Sequence, residues 1–149
     1  MDPFPSGPYL EVVKATRRFG AFTAVNEVSF AARPGELICV LGPSGCGKTT
    51  ILRIVAGLEI QDSGRVIIQG KDVSGLPVSR RNVGIVFQNY ALFPNLSAAD
   101  NIAYGLKSRR NDERQTRRRV AELLELVGLA GLGSKFPAQL SGGQQQRVA

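Results

Sequence analysis

Gly42-Pro-Ser-Gly-Cys-Gly-Lys48-Thr49-Thr50 is the stretch on which the fold of this chain turns. Its residues fit the spacing G-x-x-x-x-G-K-[ST]. Glu36-Leu-Ile-Cys-Val-Leu41, a short continuous apolar run, precedes it. Such a run reads as a strand buried on both faces, the kind found in parallel sheets. A helical run, Thr49 to Ala56, follows it, with Gly57 placed as a C-cap. Strand, glycine loop and helix in that order build an anion cradle. Gly42, Gly45 and Gly47 let the backbone curl, so that the N–H groups of Pro43-Ser44-Gly45-Cys46-Gly47 turn toward one point. The helix N-terminus adds free N–H groups and a partial positive charge. Lys48 can reach the β- and γ-phosphates of a nucleoside triphosphate, and the Thr49 hydroxyl can ligate Mg²⁺. Thr50 can donate to an α-phosphate oxygen. MgATP is the ligand expected.

Working outward, Leu10 to Val13 and Ala24 to Ala31 mix apolar and polar residues as strands of a half-buried antiparallel layer do. Phe19-Gly20-Ala21-Phe22 reads as the turn between them, and Pro34-Gly35 as the next turn. Gly64 to Gly70 reads as a short strand, and Val83-Gly-Ile-Val-Phe87 as a further buried strand ending at Gln88. From Ser97 onward the character is helical. Val120, Leu123, Leu124 and Val127 follow i, i+3, i+4, i+7 spacing and predict one apolar stripe. Gly128, Gly131 and Gly133 break that pattern before Pro137. No internal repeat or low-complexity segment interrupts the chain.

A length of 149 residues, 43% hydrophobic and 21% charged, suits one compact domain and argues against disorder. The N-terminus has neither the basic nor the apolar region of a secretory signal. The apolar run Leu37 to Leu41 falls far short of the roughly 20 residues that a membrane span needs. A soluble, cytosolic protein is expected. Cys39, in the expected core strand, and Cys46, in the loop, read as reduced thiols rather than a disulfide framework or a zinc site. The net charge of +7, from 19 Lys+Arg against 12 Asp+Glu, favours polyanions in general. Much of it comes from Arg109, Arg110, Arg114, Arg117, Arg118 and Arg119. A solvated helix face accounts for these arginines. Nucleic-acid binding is the sharper alternative, but no aromatic interleaving or reader motif supports it.

A second signature stands at Leu140-Ser-Gly-Gly-Gln-Gln-Gln-Arg-Val-Ala149. Ser141 and Gln144 have the spacing of a capping box, so a helix is expected to start here, with Gly142 and Gly143 leaving its mouth bare. By itself this is a plain helix start. Together with the loop at Gly42, it resembles the ATP-binding cassette (ABC) family of transporter ATPases. Leu76-Pro77, Arg80-Arg81, Val83 to Pro94 and Asn101 to Leu106 resemble the branch that serves binding-protein-dependent importers. The likeness runs along essentially the whole chain.

The resemblance implies an α/β fold with a P-loop NTPase (RecA-like) core, an N-terminal antiparallel β layer and a helical subdomain. Residues 1–89 would hold the β layer and core, and 90–149 the helical subdomain. Gln88 matches the glutamine that senses Mg²⁺ and the attacking water, although a strand-end polar residue would look the same. Phe19 occupies the place of the aromatic that stacks on adenine; Phe22 lies close by, and either ring could be core. Val25 joins the nucleotide-contacting set. Ser141, Gly142, Gly143 and Gln144 match the signature that contacts the γ-phosphate of ATP held by a second copy, which implies a head-to-tail dimer with shared sites. Tyr90, Ala91, Leu92, Phe93 and Pro94 fall where membrane permease subunits dock, or are buried filler. A periplasmic binding protein would be an indirect partner, and the location peripheral on the inner face of the cell membrane.

The family pattern continues past Ala149, with a Walker B aspartate, a catalytic glutamate and a switch histidine, and this chain has no histidine. The expectation is a fragment of a longer protein that binds ATP at most and is inactive alone as a hydrolase. Two other classes compete: a soluble cassette protein acting on nucleic acid or ribosomes, and a non-catalytic nucleotide-binding module. Phosphonate, polyamine, sugar and ferric iron all remain open as cargo, with an aminophosphonate as the first guess.

Overall fold

A computed structural model describes residues 7–107 and 112–149. Arg109 and Arg110 of the arginine run lie outside the described residues. The chain divides into two compact units, one reaching to Ile85 and the other starting at Val86.

The first unit is organised by strands β1 (Leu10–Phe19) and β2 (Phe22–Ala32), an antiparallel hairpin closed by Gly20 and Ala21. Gly20 takes a φ of 59°, the left-handed conformation that a tight turn asks for. Helix α1 (Lys48–Ala56) follows, then β3 (Ser63–Ile68), β4 (Lys71–Asp72) and the short α2 (Val78–Arg81). The sheet order is β2-β1-β3-β4, and each pair is antiparallel. The expected β layer is present, with both hairpin strands longer than the pattern indicated. β1 carries register shifts between Val12 and Ala15 and again on either side of Arg17. Side chains fill the ladder there: the Lys14 N–H donates to Ser29 Oγ at 2.8 Å, and the Glu27 N–H to Thr16 Oγ1 at 3.0 Å. Such bulges bend a strand and re-aim its side chains. α1 packs Ile51 and Ile54 against Val12, Val25 and Val66. It ends on Gly57, at φ 79°, whose N–H returns to the carbonyls of Arg53 and Ile54.

Two expected strands are absent. Neither Glu36 to Leu41 nor Val83 to Phe87 forms a ladder, and Leu37 is 93% exposed, Leu41 84% and Val86 64%. Cys39 is accordingly exposed, not in a core. The physical reason is that a strand is completed by its neighbours. An apolar run supplies β propensity, but among the described residues no strand lies alongside these two to accept their N–H groups.

The second unit is helical: α3 (Ala98–Lys107), α4 (Glu113–Leu126) and α5 (Gly142–Val148), with a single 3₁₀ turn at Pro137–Gln139. The predicted stripe holds. Val120 and Leu124 are buried with Ala98, Ala103 and Leu140, and Val127 packs against them from the margin. On α4's outer face Arg117 pairs with Glu113, and Arg118 and Arg119 both pair with Glu122. The two guanidinium groups hold the Glu122 carboxyl below its usual range by hydrogen bonding. These exposed i, i+3 and i, i+4 pairs add little to stability. They do turn much of the arginine surplus inward on its own helix.

Candidate functional site

The loop from Gly42 to Gly47 is exposed over most of its length and delivers the chain into α1. Gly42, Gly45 and Gly47 adopt φ values of 154°, 82° and 89°. A Cβ on Gly47 would lie 2.1 Å from the Ala24 carbonyl oxygen and 3.3 Å from Val25 Cγ2. Glycine is therefore required at Gly47 twice over, for its backbone angle and for the close approach of β2. Val25, 4% exposed, sits in the core behind this contact and backs the loop.

Gly47 is the N-cap of α1; it has no side chain to cap the helix, and no acidic residue stands in the first turn. The N–H groups of Lys48, Thr49 and Thr50 are thus left to an external acceptor. Thr49 is exposed and Thr50 half-buried. Lys48 Nζ folds back over the loop and donates to the carbonyls of Gly42 at 2.8 Å and Pro43 at 2.6 Å, with Cys46 Sγ at 3.6 Å. Phe19, Phe22, Ala24, Gly45, Gly47, Lys48, Thr49 and Thr50 line one open recess of about 260 Å³. The structure thus brings the aromatic hairpin tip and the glycine loop to a single place. Phe19 and Phe22 are both partly exposed, at 46% and 59%.

The donor set fits a polyphosphate. It offers uncapped N–H groups, a lysine and two threonine hydroxyls, with no carboxylate among the lining residues. For Mg²⁺ the recess offers the exposed Thr49 hydroxyl, a hard oxygen donor suited to a cation that takes its other ligands from phosphate and water.

Gln88 belongs to the second unit and is exposed in a turn closed by the Tyr90 N–H on the Phe87 carbonyl at 2.9 Å; it is not a strand end. In the following segment, Leu92 packs against the helical core, whereas Phe93 stands 42% exposed. The Phe93 ring lies 4.6 Å from that of Tyr104 on α3. Asn101 fixes this segment: its Oδ1 accepts from the Phe93 N–H at 2.8 Å, and its Nδ2 faces the carbonyls of Phe93, Leu96 and Ser97. Neither pure filler nor a bare loop describes it.

The capping box at the second signature is present. Ser141 Oγ accepts from the Gln144 N–H at 3.3 Å, and Gln144 Oε1 accepts from the Ser141 N–H at 2.8 Å. Gly142 and Gly143 open α5 and are exposed; a Cβ at Gly143 would meet nothing within 4 Å.

Residue patterns alone gave no sign of three supporting groups: Asn101, Arg17 and Arg81. Arg81 is 3% exposed and donates to the carbonyls of Ile54, Val55, Ser74 and Leu76 at 2.7 to 3.1 Å. It gathers the end of α1 and the turn before α2. The doublet Arg80-Arg81 hides this role, because Arg80 is exposed and Arg81 buried.

A nucleotide-type loop beside an aromatic hairpin and a separate helical unit with a capped Ser-Gly-Gly-Gln start describe a cassette ATPase. The family model described as ABC transporter matches residues 25–149, and the chain belongs to that family. It is 57% identical over 141 residues to the sulfate/thiosulfate import ATP-binding protein CysA 2 of Chromobacterium violaceum, covering 95% of this chain and 38% of that one. It is 56% identical over 145 residues to the Fe(3+) ions import ATP-binding protein FbpC of Agrobacterium fabrum, covering 97% and 40%. The chain therefore spans about two fifths of the length of these relatives. Among solved structures, the post-hydrolysis dimer of the ATP-binding cassette MJ0796 bound to ADP and Pi matches with a TM-score of 0.84 at 31% identity, over 93% of this chain and 66% of that one. The fold is the ABC cassette fold over that span. Among the described residues no helix is long and apolar enough to cross a membrane.

Proposed function

We propose that this chain is the nucleotide-binding part of an ABC importer ATPase, with residues 1–89 holding ATP and 90–149 serving its partners. The observation that carries the proposal is the recess shared by Phe19, Lys48, Thr49 and Thr50 at the uncapped start of α1. The triphosphate lies along the N–H groups of Gly45 to Thr50. Lys48 exchanges its bonds to the Gly42 and Pro43 carbonyls for β- and γ-phosphate oxygens, a charge-assisted replacement that favours the bound state. Thr49, with Gln88, holds Mg²⁺, which when bound neutralises charge building on the β- and γ-oxygens. Phe19 offers its ring to adenine.

Ser141 to Gln144 face the γ-phosphate of ATP held by a second copy in a head-to-tail dimer. The exposed start of α5, with two glycines at its mouth, supports that assignment. Phe93 and Tyr104 present an exposed aromatic pair for a permease at the inner face of the membrane. The relatives named for sulfate/thiosulfate and for Fe(3+) stand at nearly equal identity. This follows physically, since a subunit built around ATP phosphates has no contact with cargo from which to select it.

Calorimetry of the chain with MgATP tests the nucleotide site. Lys48→Ala is expected to weaken binding about tenfold or more, as loss of a charge-assisted bond of roughly 1.5–3 kcal/mol implies. Equal affinity in the two proteins would sink the assignment. For the docking segment, a polytopic membrane protein should co-purify with the full-length protein and be lost on Phe93→Asp. Retention after that change rejects the docking role.

A further inference from the structure

We infer that Arg17 is a positioning residue for the base of the bound nucleotide, acting through Phe19. This rests on the proposal that the recess beside Gly47 holds ATP. The Arg17 guanidinium carbon lies 4.8 Å from the centre of the Phe19 ring, a cation–π contact. The cation is pinned from two sides. Nη2 reaches Glu59 Oε1 at 2.8 Å and Nη1 reaches Asp62 Oδ1 at 2.7 Å. Arg17 Nε is buried with no hydrogen-bond partner. The guanidinium is thus held by two carboxylates and a ring.

The carboxylates are themselves fixed. Asp62 Oδ2 accepts from the Arg18 N–H at 2.6 Å, and the Asp62 N–H donates to the Thr16 carbonyl at 2.8 Å. Glu59 is tied by its N–H to the Arg53 carbonyl at 3.2 Å, in the last turn of α1. A chain of short contacts therefore runs from the helix whose first turn forms the phosphate cradle to the ring at the hairpin tip. Phe22, at the same tip, has no ring or cation contact among the described residues.

An exposed aromatic side chain loses rotamer freedom when a base stacks on it, and a ring already held loses less. Arg17 covers one face of Phe19 and leaves the rest of the ring to the recess. Its effect should fall on the base and not on the phosphates. That separates positioning from general support of the fold.

The test compares MgATP with inorganic tripolyphosphate, which lacks a base, by calorimetry on wild type, Arg17→Met, Phe19→Leu and the double variant. Arg17→Met is expected to weaken MgATP about two- to fivefold, the size of a partly exposed cation–π contact, and to leave tripolyphosphate unchanged. The double variant should bind MgATP no more weakly than Phe19→Leu alone. Equal weakening of both ligands by Arg17→Met, or additive losses in the double variant, overturns the positioning role. Wild type binding neither ligand overturns the nucleotide site itself, and the positioning role with it. Arg17→Lys keeps a cation against one carboxylate; should Arg17→Met fail to fold, it must show the same ligand selectivity with a smaller loss.

Discussion

Adding one methyl group at Gly47 tests how tightly the phosphate loop is fitted against the β layer. The residue has a φ of 89°, and an alanine there carries a backbone strain of about 1–3 kcal/mol. The new Cβ would also lie 2.1 Å from the Ala24 carbonyl oxygen. An ordinary carbon–oxygen contact is about 3.3 Å, so one of the two backbones has to retreat by about 1 Å. Ala24 precedes Val25, which pairs with Arg17 in β1 and is buried in the core, so the retreat strains the hairpin. Overpacking of this kind adds about 1–3 kcal/mol. Gly45→Ala is the internal control. Its φ is 82°, yet a Cβ there meets nothing within 4 Å, so only the strain applies. Urea unfolding followed by circular dichroism should place Gly47→Ala about 1–3 kcal/mol below Gly45→Ala, with unchanged slope. MgATP calorimetry should show binding lost in Gly47→Ala. Equal stability of the two variants would refute the fitted-loop explanation, whatever happens to nucleotide affinity.

Arg81→Met should cost about 3–5 kcal/mol of stability, because it fills the volume but leaves carbonyls of Ile54, Val55, Ser74 and Leu76 without their buried donor; a urea midpoint within error of wild type contradicts this. Asp62 gives a pH prediction. Its carboxyl is held below the ordinary value of 3.8, first by the Arg18 N–H and then by Arg17, with desolvation opposing them. Because the folded value lies below the unfolded one, its contribution is complete above the unfolded pKa and is lost as pH falls through the folded pKa. Thermal melts from neutral pH down to about 3 should therefore show a shallower acid limb in Asp62→Asn than in wild type; parallel limbs would exclude the linkage.

The features legible in the residues are those closed within a few positions of one another. The glycine loop, α1 with its Gly57 cap, the apolar stripe of α4 and the Ser141 capping box all depend on local backbone angles or on i, i+3 and i, i+4 contacts. Phe19 and Phe22 could be seen as hairpin aromatics, but only tertiary structure set both rings beside Lys48 and placed Arg17 against one of them. The bulges in β1 re-aim its side chains, so simple alternation cannot say where Arg17 points.

Glu36 to Leu41 and Val83 to Phe87 show the limit from the other side. Both are apolar enough to be strands, and neither has a ladder here, because strand formation is decided by a partner distant in sequence. Arg81 shows it again, since identical neighbours end with one arginine in solvent and the other under the end of α1. By itself the sequence determined the chemistry of the phosphate cradle and the family to which it belongs, because those reside in residue type and short spacing. Which side chains brace that cradle was decided only by the fold, because a brace acts between residues that the chain must first bring together.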